Sequence, residues 1–228
     1  MIEKLDEGIK KLGLSLDEKQ IEQIEKYISE IMKFNQSYNL MKADSEEELA
    51  VHHILDSLAG SKTIQGLVLE LEKSRGKGKV VIGDIGSGGG CPGIPLAISN
   101  PETNFILVER MEKRCTFLEM AIAECGLKNV KVNPVQADKV EKSSLDIAVH
   151  RAFHPMDKKI LKLLLAMLKK DGYICAFKAR EEKIKAEMEE VNSIVKSYEQ
   201  KKLVVPFMED YERNLVIIQK KNCTIGHL

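Results

Sequence analysis

A chain of 228 residues that is 43% apolar has material for one full core, so one domain with an extension is expected rather than two domains. Basic and acidic side chains number 35 each, which removes the global positive field of a typical nucleic-acid binder, yet residues 1–60 hold 7 Lys and 13 Asp or Glu against 28 basic and 22 acidic beyond them. Five cysteines without a Cys-x-x-Cys pair argue against a disulfide framework and a zinc site. No basic, apolar leader opens the chain and Lys162 interrupts the longest apolar stretch, so neither a signal peptide nor a membrane span is expected, and the cytoplasm is the expected location.

Residues 1–72 read as a helical extension. Ser15 and Glu18 match a capping box, and Ile21, Ile24, Ile28, Ile31 and Phe34 then recur at three- and four-residue spacing, predicting one amphipathic helix. A second pair, Ser45 and Glu48, starts a segment to Leu58 that carries His52, His53 and Asp56. Lys73 to Lys79 predicts a flexible connection into a second unit, residues 73–228, the two forming one compact body. From there strands at 80–84, 105–109, 130–135, 145–149, 173–178, 203–207 and 214–219 alternate with helices at 92–99, 112–125, 157–169 and 181–198. Such alternation demands a Rossmann-like α/β fold: a seven-stranded, mostly parallel sheet covered on both faces, here closed by an antiparallel edge hairpin.

The stretch Lys79 to Leu96 reads as strand, glycine turn and helix start, a cradle for a nucleotide cofactor. The dinucleotide pattern G-x-G-x-x-G laid on Gly86 and Gly88 needs glycine at 91, where the chain has Cys91, and no Gly-Lys-Ser/Thr follows to make a P-loop. The spacing that fits is Asp84-x-Gly86-x-Gly88-x-Gly90. It resembles the first motif of the class I S-adenosylmethionine methyltransferases.

Ligands in such sheets bind beyond the carboxyl ends of the strands. Strand two ends at Glu109, whose carboxylate either accepts from both ribose hydroxyls or simply favours the start of a helix. Strand three ends at Ala137 and Asp138, and Asp138 is either an acceptor for the adenine amine or a turn initiator. Strand four runs into His150-Arg151-Ala152-Phe153-His154-Pro155. It lacks the Asn/Asp-Pro-Pro-aromatic motif of base-amino methyltransferases and the Pro-Cys nucleophile of cytosine-C5 enzymes; Cys91-Pro92 has the reverse order and sits on the cofactor turn. That absence suits guanine N7, which presents an in-plane lone pair and loses no proton on methylation, so alignment is needed and a general base is not. Arg151 beside a cationic sulfonium makes sense only if it grips something anionic or electron-rich.

Tyr38-Asn39-Leu40, His53-Ile54-Leu55-Asp56-Ser57, the turn through Pro92-Gly93-Ile94-Pro95-Leu96, Lys113-Arg114, Arg151-Ala152-Phe153 and Glu212-Arg213-Asn214-Leu215-Val216 resemble, in order, the blocks of the bacterial 16S rRNA guanine-N7 methyltransferases, the glucose-inhibited division protein B family. The resemblance implies transfer of a methyl group from S-adenosylmethionine to one guanine in the decoding region of 16S rRNA, with the small ribosomal subunit as partner, no metal and no obligate protein partner. It implies cofactor contacts at Asp84, Gly86, Gly88, Gly90, Cys91, Glu109, Ala137, Asp138 and Arg151, with Asn39, His53, Asp56 and Lys178 on the substrate side. Three positions depart from the family pattern: its Leu or Phe after the glycines is Cys91, its Asn-Leu-Thr is Asn39-Leu40-Met41, and its Leu-Lys-Gly after strand five is Phe177-Lys178-Ala179. A methyltransferase acting on another substrate and a non-catalytic ribosome-binding module are the alternatives that the same residues leave open.

Overall fold

In a computed structural model that describes residues 2–224, seven strands form one sheet. The chain runs α1 (Glu3–Lys11), α2 (Glu18–Asn35), α3 (Glu46–Leu49), a π-helical turn (Ala50–Leu55), α4 (Asp56–Leu58), α5 (Ser61–Arg75), β1 (Val81–Ile85), α6 (Gly93–Ser99), β2 (Asn104–Val108), α7 (Glu112–Glu124) and β3 (Val130–Asn133). It continues through β4 (Leu145–Arg151), α8 (Lys158–Met167), β5 (Leu168–Lys178), α9 (Glu181–Glu190), β6 (Glu199–Lys202) and β7 (Asn214–Gln219). The strand order is β3-β2-β1-β4-β5-β7-β6, parallel from β3 to β5, with β7 antiparallel to both β5 and β6. From β1 the chain builds outward in one direction through β2 and β3, and from β4 in the other. The crevice between the carboxyl ends of β1 and β4 is therefore the topological switch point, where such sheets take their ligands.

Side chains alternate across the pleat, and the two faces carry separate cores. Ile82, Phe105, Leu107, Ile147, Val149, Cys175, Leu215 and Ile217 pack with buried residues of α1, α2, α5, α6 and α7. Ile85, Val108, Leu145, Ala148, Ile174, Ala176, Val216 and Ile218 pack with Leu161, Leu164 and Leu165 of α8 and Ile184 and Met188 of α9. The residue-by-residue split along β4 and β5 is why those strands read as continuous apolar runs. On the first face α2 lies on α6 and α7, and α4 lies on α6. Ile24, Tyr27, Ile28 and Ile31 of α2 are fully buried, as their spacing predicts.

Several boundaries differ from the sequence reading. The capping box of α2 is Asp17 with Gln20, each side chain bonded to the other's backbone N–H, and not Ser15 with Glu18; four residues with the right chemistry compete within one turn. Ser45 does cap α3 by accepting from Glu48 N–H. The first three residues of the segment expected to be a flexible connection are helical, since α5 runs to Arg75 before Gly76 at φ +91° ends it. Helix α8 stops at Met167, because Leu168 pairs with Leu145 and opens β5, and the register then shifts before Tyr173 meets Ile147. Helix α9 ends at Glu190, and the edge strand is β6 at Glu199–Lys202 rather than 203–207. Its residues are polar and half-exposed, so neither period nor hydropathy marks it. No helix among the described residues is long and apolar enough to cross a membrane.

The amino end of the sheet is pinned by one carboxylate. Asp146 of β4 has no exposed side-chain surface; it accepts from Arg75 Nε at 3.0 Å on one oxygen and from Val81 N–H at 2.9 Å and Lys169 Nζ at 2.7 Å on the other. Arg75 also donates to the carbonyl of Lys170. Three segments converge on a side chain that exchanges its bonds to water for three charged or backbone donors. Asp146→Ala should lower unfolding free energy by roughly 3–5 kcal/mol, the usual cost of breaking a buried ion pair. Urea denaturation followed by circular dichroism checks it, and a loss under ~0.5 kcal/mol would show that Asp146 is not a pin.

Candidate active site

Beyond β1 the backbone turns through Gly86, Gly88 and Gly90 at φ +72°, +59° and +99°, a conformation that costs glycine nothing and strains other residues. A Cβ on Gly86 would stand 2.4 Å from the Phe153 ring, whereas one on Gly88 would meet nothing nearer than the Gly86 carbonyl at 3.9 Å. The turn is thus covered at its first glycine and open at its second, where a ligand can lie on bare backbone. Asp84 holds this shape: its Oδ2 accepts from the Ser87 hydroxyl at 2.7 Å and from Gly93 N–H at 3.0 Å, joining strand, turn and the start of α6. Its Oδ1 is buried without a partner. Burial pushes the Asp84 carboxyl up to about 6, against the pull of those two donors and of Arg151.

Tyr27 of α2 reaches the same turn, its hydroxyl donating to the Gly89 carbonyl at 2.5 Å and lying 3.5 Å from Cys91 Sγ. The Cys91 thiol faces the helical layer, and burial raises its pKa. It is therefore a packing thiol whose backbone, not its sulfur, belongs to the turn.

A cavity of about 210 Å³ opens on the far side of the turn, lined among others by Gly86, Glu109, Met111, Ala137 and Phe153. Glu109 is buried at the end of β2; Oε1 accepts from Arg110 N–H at 2.8 Å and Met111 N–H at 2.9 Å, and Oε2 accepts from Gly88 N–H at 3.0 Å. A carboxylate offers about four lone-pair positions, so one remains for a ligand hydroxyl. Asp138 is exposed beside Lys139 at 3.7 Å and does not line this cavity, in contrast to Ala137. The bare Gly88 backbone and the spare Glu109 lone pair together fit a polar nucleoside ligand.

The larger cavity, about 840 Å³, lies across the carboxyl ends of β4, β5 and the start of β7. On one wall Arg151 donates from Nη1 to Asp56 Oδ2 at 2.8 Å and to the His52 carbonyl at 3.4 Å, and from Nη2 to His53 Nδ1 at 3.0 Å. Arg213 Nε donates to Asp56 Oδ1 at 3.0 Å. A guanidinium only donates, so His53 Nδ1 accepts, and its proton sits on Nε2 facing the Lys42 carbonyl at 3.1 Å. Burial and then Arg151 lower the His53 pKa, keeping it in this neutral form. On the opposite wall Lys178 pairs with Glu187 at 2.7 Å. His150 lies beneath, buried, its Nε2 without a partner, and burial with Lys178 and His154 drives its pKa down to about 3.

The structure therefore brings Arg151, Asp56 and His53 into one contact, sets Lys178 across the cavity from them, and puts Gly86, Glu109 and Ala137 together in the smaller cavity. Asn39 is exposed and lines neither; its neighbour Asn35 is the working amide, donating to the Met41 carbonyl at 2.6 Å and accepting from Leu40 and Met41 N–H. Sequence reasoning overlooked Tyr27, Phe153 and Arg213 as site residues. Arg213 and Phe153 stand inside blocks it quoted, but Tyr27 reads as one more apolar position of α2.

A profile of the rRNA small subunit methyltransferase G family matches residues 20–216. A ribosomal RNA small subunit methyltransferase G of Treponema denticola is 37% identical, with 93% of this chain and 92% of that protein covered. One from Thermoanaerobacter sp. is 34% identical, with 97% and 91% covered. Among solved structures, a tRNA methyltransferase from Aquifex aeolicus superposes with a TM-score of 0.55 at 14% identity over 74% of this chain and 70% of that one. A carbon methyltransferase does so at 0.56 and 14% identity over 85% and 59%. At those identities the structures establish the fold alone.

The buried His150 imidazole gives a pH signature. The unfolded chain takes up its proton below the ordinary 6.5, while the folded chain stays neutral there until about 3. The unfolded state thus binds more protons in that window, and this contribution to stability is lost as pH falls through it, at up to about 1.4 kcal/mol per pH unit. Asp84, with its raised pKa, acts in the opposite sense between its ordinary 3.8 and about 6, so the comparison must be with a variant. The stability difference between wild type and His150→Leu should shift toward the variant as pH falls from 6.5 to 4. Parallel denaturation curves across that range would exclude it.

Proposed function

Since the chain belongs to the rRNA small subunit methyltransferase G family, we propose that it transfers the methyl group of S-adenosylmethionine to N7 of one guanine in the decoding region of 16S rRNA. The observation that carries this reading is the pair of cavities at the switch point, one on the glycine turn and one with a basic wall, meeting at the residues that follow β4. S-adenosylmethionine supplies an electrophilic methyl group on a sulfonium. In this reading the open backbone at Gly88, the spare lone pair of Glu109, and the walls at Gly86 and Ala137 hold it, with Gly90 needed for the shape of the turn. Asp84 and Cys91 contribute through the shape of the turn.

What the chain must supply is alignment. Guanine N7 needs no base to deprotonate it. The histidines nearby suit that economy: His53 is engaged as an acceptor and His150 is neutral and buried. Arg151 keeps Nε–H and one Nη2–H beyond its three bonds to the helical layer, and these donors suit a carboxylate or the electron-rich O6/N7 edge of guanine. Asp56 and His53 act behind Arg151 as positioning residues. We read residues 1–72 and 73–228 as one working body, because Asp56 from the first and Arg151 and Arg213 from the second share a cavity wall. The substrate, a small-subunit rRNA, assigns the enzyme to the bacterial cytoplasm.

The purified chain, incubated with 16S rRNA or small subunits and S-adenosylmethionine, should yield a single 7-methylguanine, mapped by cleavage at the modified base and primer extension. Transfer to no 16S substrate in either form would overturn the reading. Arg151→Ala should fold, with Arg213 still neutralising Asp56, and lose roughly 10- to 150-fold in kcat/KM, the ~1.5–3 kcal/mol of a charged hydrogen bond. Turnover like wild type would remove Arg151 from the site.

A further inference from the structure

Among the described residues, only Ala152, Phe153 and His154 line both cavities. Ala152 takes φ +51°, a left-handed conformation uncommon for a residue with a Cβ, and the chain so bent brings the Phe153 ring back over Gly86. There the half-buried ring stands edge-on to His154 at 4.6 Å and to His150 at 6.1 Å. An aromatic side chain is thus the partition between the turn that would carry the methyl donor and the basic cavity. On the cavity side most charges are already spent: Arg151 and Arg213 on Asp56, Lys178 on Glu187. Glu48 accepts from Asp44 N–H. Lys42, on the loop after α2, and Lys183, on the first turn of α9, have no ion-pair or hydrogen-bond partner for their ammonium groups among the described residues. One aromatic ring and two free ammonium groups lining the same cavity are the parts of a single-stranded nucleotide site: a stacking platform and phosphate contacts.

Resting on the methyl-transfer reading above, we propose that the larger cavity receives one extruded guanosine of a single-stranded RNA segment, its base stacked on Phe153 and its flanking phosphates held by Lys42 and Lys183. Guanine N7 lies on the edge that faces the deep, narrow major groove of an RNA helix, where protein side chains do not reach. A base lifted out of its stack exposes that edge, and the partition is where it meets the donor. Phe153 is a positioning residue in this scheme, acting on the base plane and not on a proton.

The test uses the full chain, 16S rRNA and S-adenosylmethionine, with steady-state kinetics at several salt concentrations and donor affinity measured by calorimetry. Phe153→Leu should lower kcat about 5- to 150-fold, the span of one lost base stack, with donor affinity within about threefold of wild type. Phe153→Tyr, which keeps the ring, should stay within about threefold in both. Lys42→Ala and Lys183→Ala should each raise the KM for RNA and flatten its logarithmic salt dependence by about 0.7 to 1, the value of one phosphate contact. Equal losses in the Leu and Tyr variants, or a donor affinity that falls in step with kcat, would make Phe153 part of the donor cavity only and overturn the proposal. An unchanged salt slope in both lysine variants would overturn its phosphate contacts. Wild-type methylation of guanine with wild-type-like variants would sink this proposal alone; no guanine methylation by the wild type would sink the reading beneath it as well.

Discussion

Asp56 is buried, and each of its oxygens is held by a different arginine: Oδ2 by Arg151 at the end of β4, Oδ1 by Arg213 just before β7. A carboxylate taken out of water at this depth is tolerated only while it keeps a cationic partner, so the pairing fixes how the helical layer meets the sheet. The layer is built to offer it. The helix widens to a π-helical turn at Ala50–Leu55, so that the His52 carbonyl, the His53 ring and Asp56 all turn toward one guanidinium. Arg151 is therefore oriented by the fold before any ligand arrives. Its plane and its two free N–H groups are set by the helical layer, which makes residues 50–56 part of the site through the way they hold Arg151.

The same logic runs through the other buried carboxylates at the strand ends. Asp84 accepts from Ser87 and Gly93, and Glu109 accepts from Gly88, Arg110 and Met111. Both acids are spent mostly on the backbone of the loops they border. The result is a turn whose glycines are held open by charge-assisted bonds rather than by the ligand, so binding need not pay to order it. Tyr27 adds a third tie from above, through Gly89. That bond links α2 directly to the cofactor turn, and with Asp56 it gives the helical layer two grips on the site, one at each cavity.

How much of this can be read from the residues depends on the range of the interaction. The glycine turn, the strand alternation and the antiparallel closing hairpin are local patterns; the turn and the alternation are found where the sequence puts them, and the hairpin forms with its edge strand shifted to Glu199–Lys202. The family follows as well, because its blocks are ordered along one chain. Boundaries fail where local signals tie, as among Ser15, Asp17, Glu18 and Gln20, or where pairing overrides helix propensity, as at Leu168. The site's support is illegible for a different reason. Arg213 lies 157 residues from Asp56, and Arg75 lies 71 residues from Asp146. Only the folded sheet brings them together, and no spacing rule connects them. Asn35 and Asn39 show the finest limit: two identical side chains four residues apart, one ending α2 and one on the loop after it, of which the one that closes three backbone bonds is chosen by geometry alone.

Charge shows most clearly why a count along the chain misleads. Residues 1–60 carry six more acids than bases, a count that on its own points to no cationic site there. Yet Lys4, Lys10, Lys11, Lys26 and Lys33 of that segment are each paired with a nearby Glu or Asp, mostly one helical turn away. Such pairs are solvated and screened, and they contribute little beyond a few ångströms. Lys42 belongs to the same acidic segment, has no ion-pair partner among the described residues, and lines the larger cavity together with Lys183 from the other half of the chain. What a phosphate meets there is set by the charges left over after pairing. A neutral protein can therefore hold a local cationic site, provided its acids are spent on fixing arginines and loops while its spare lysines are left at the mouth.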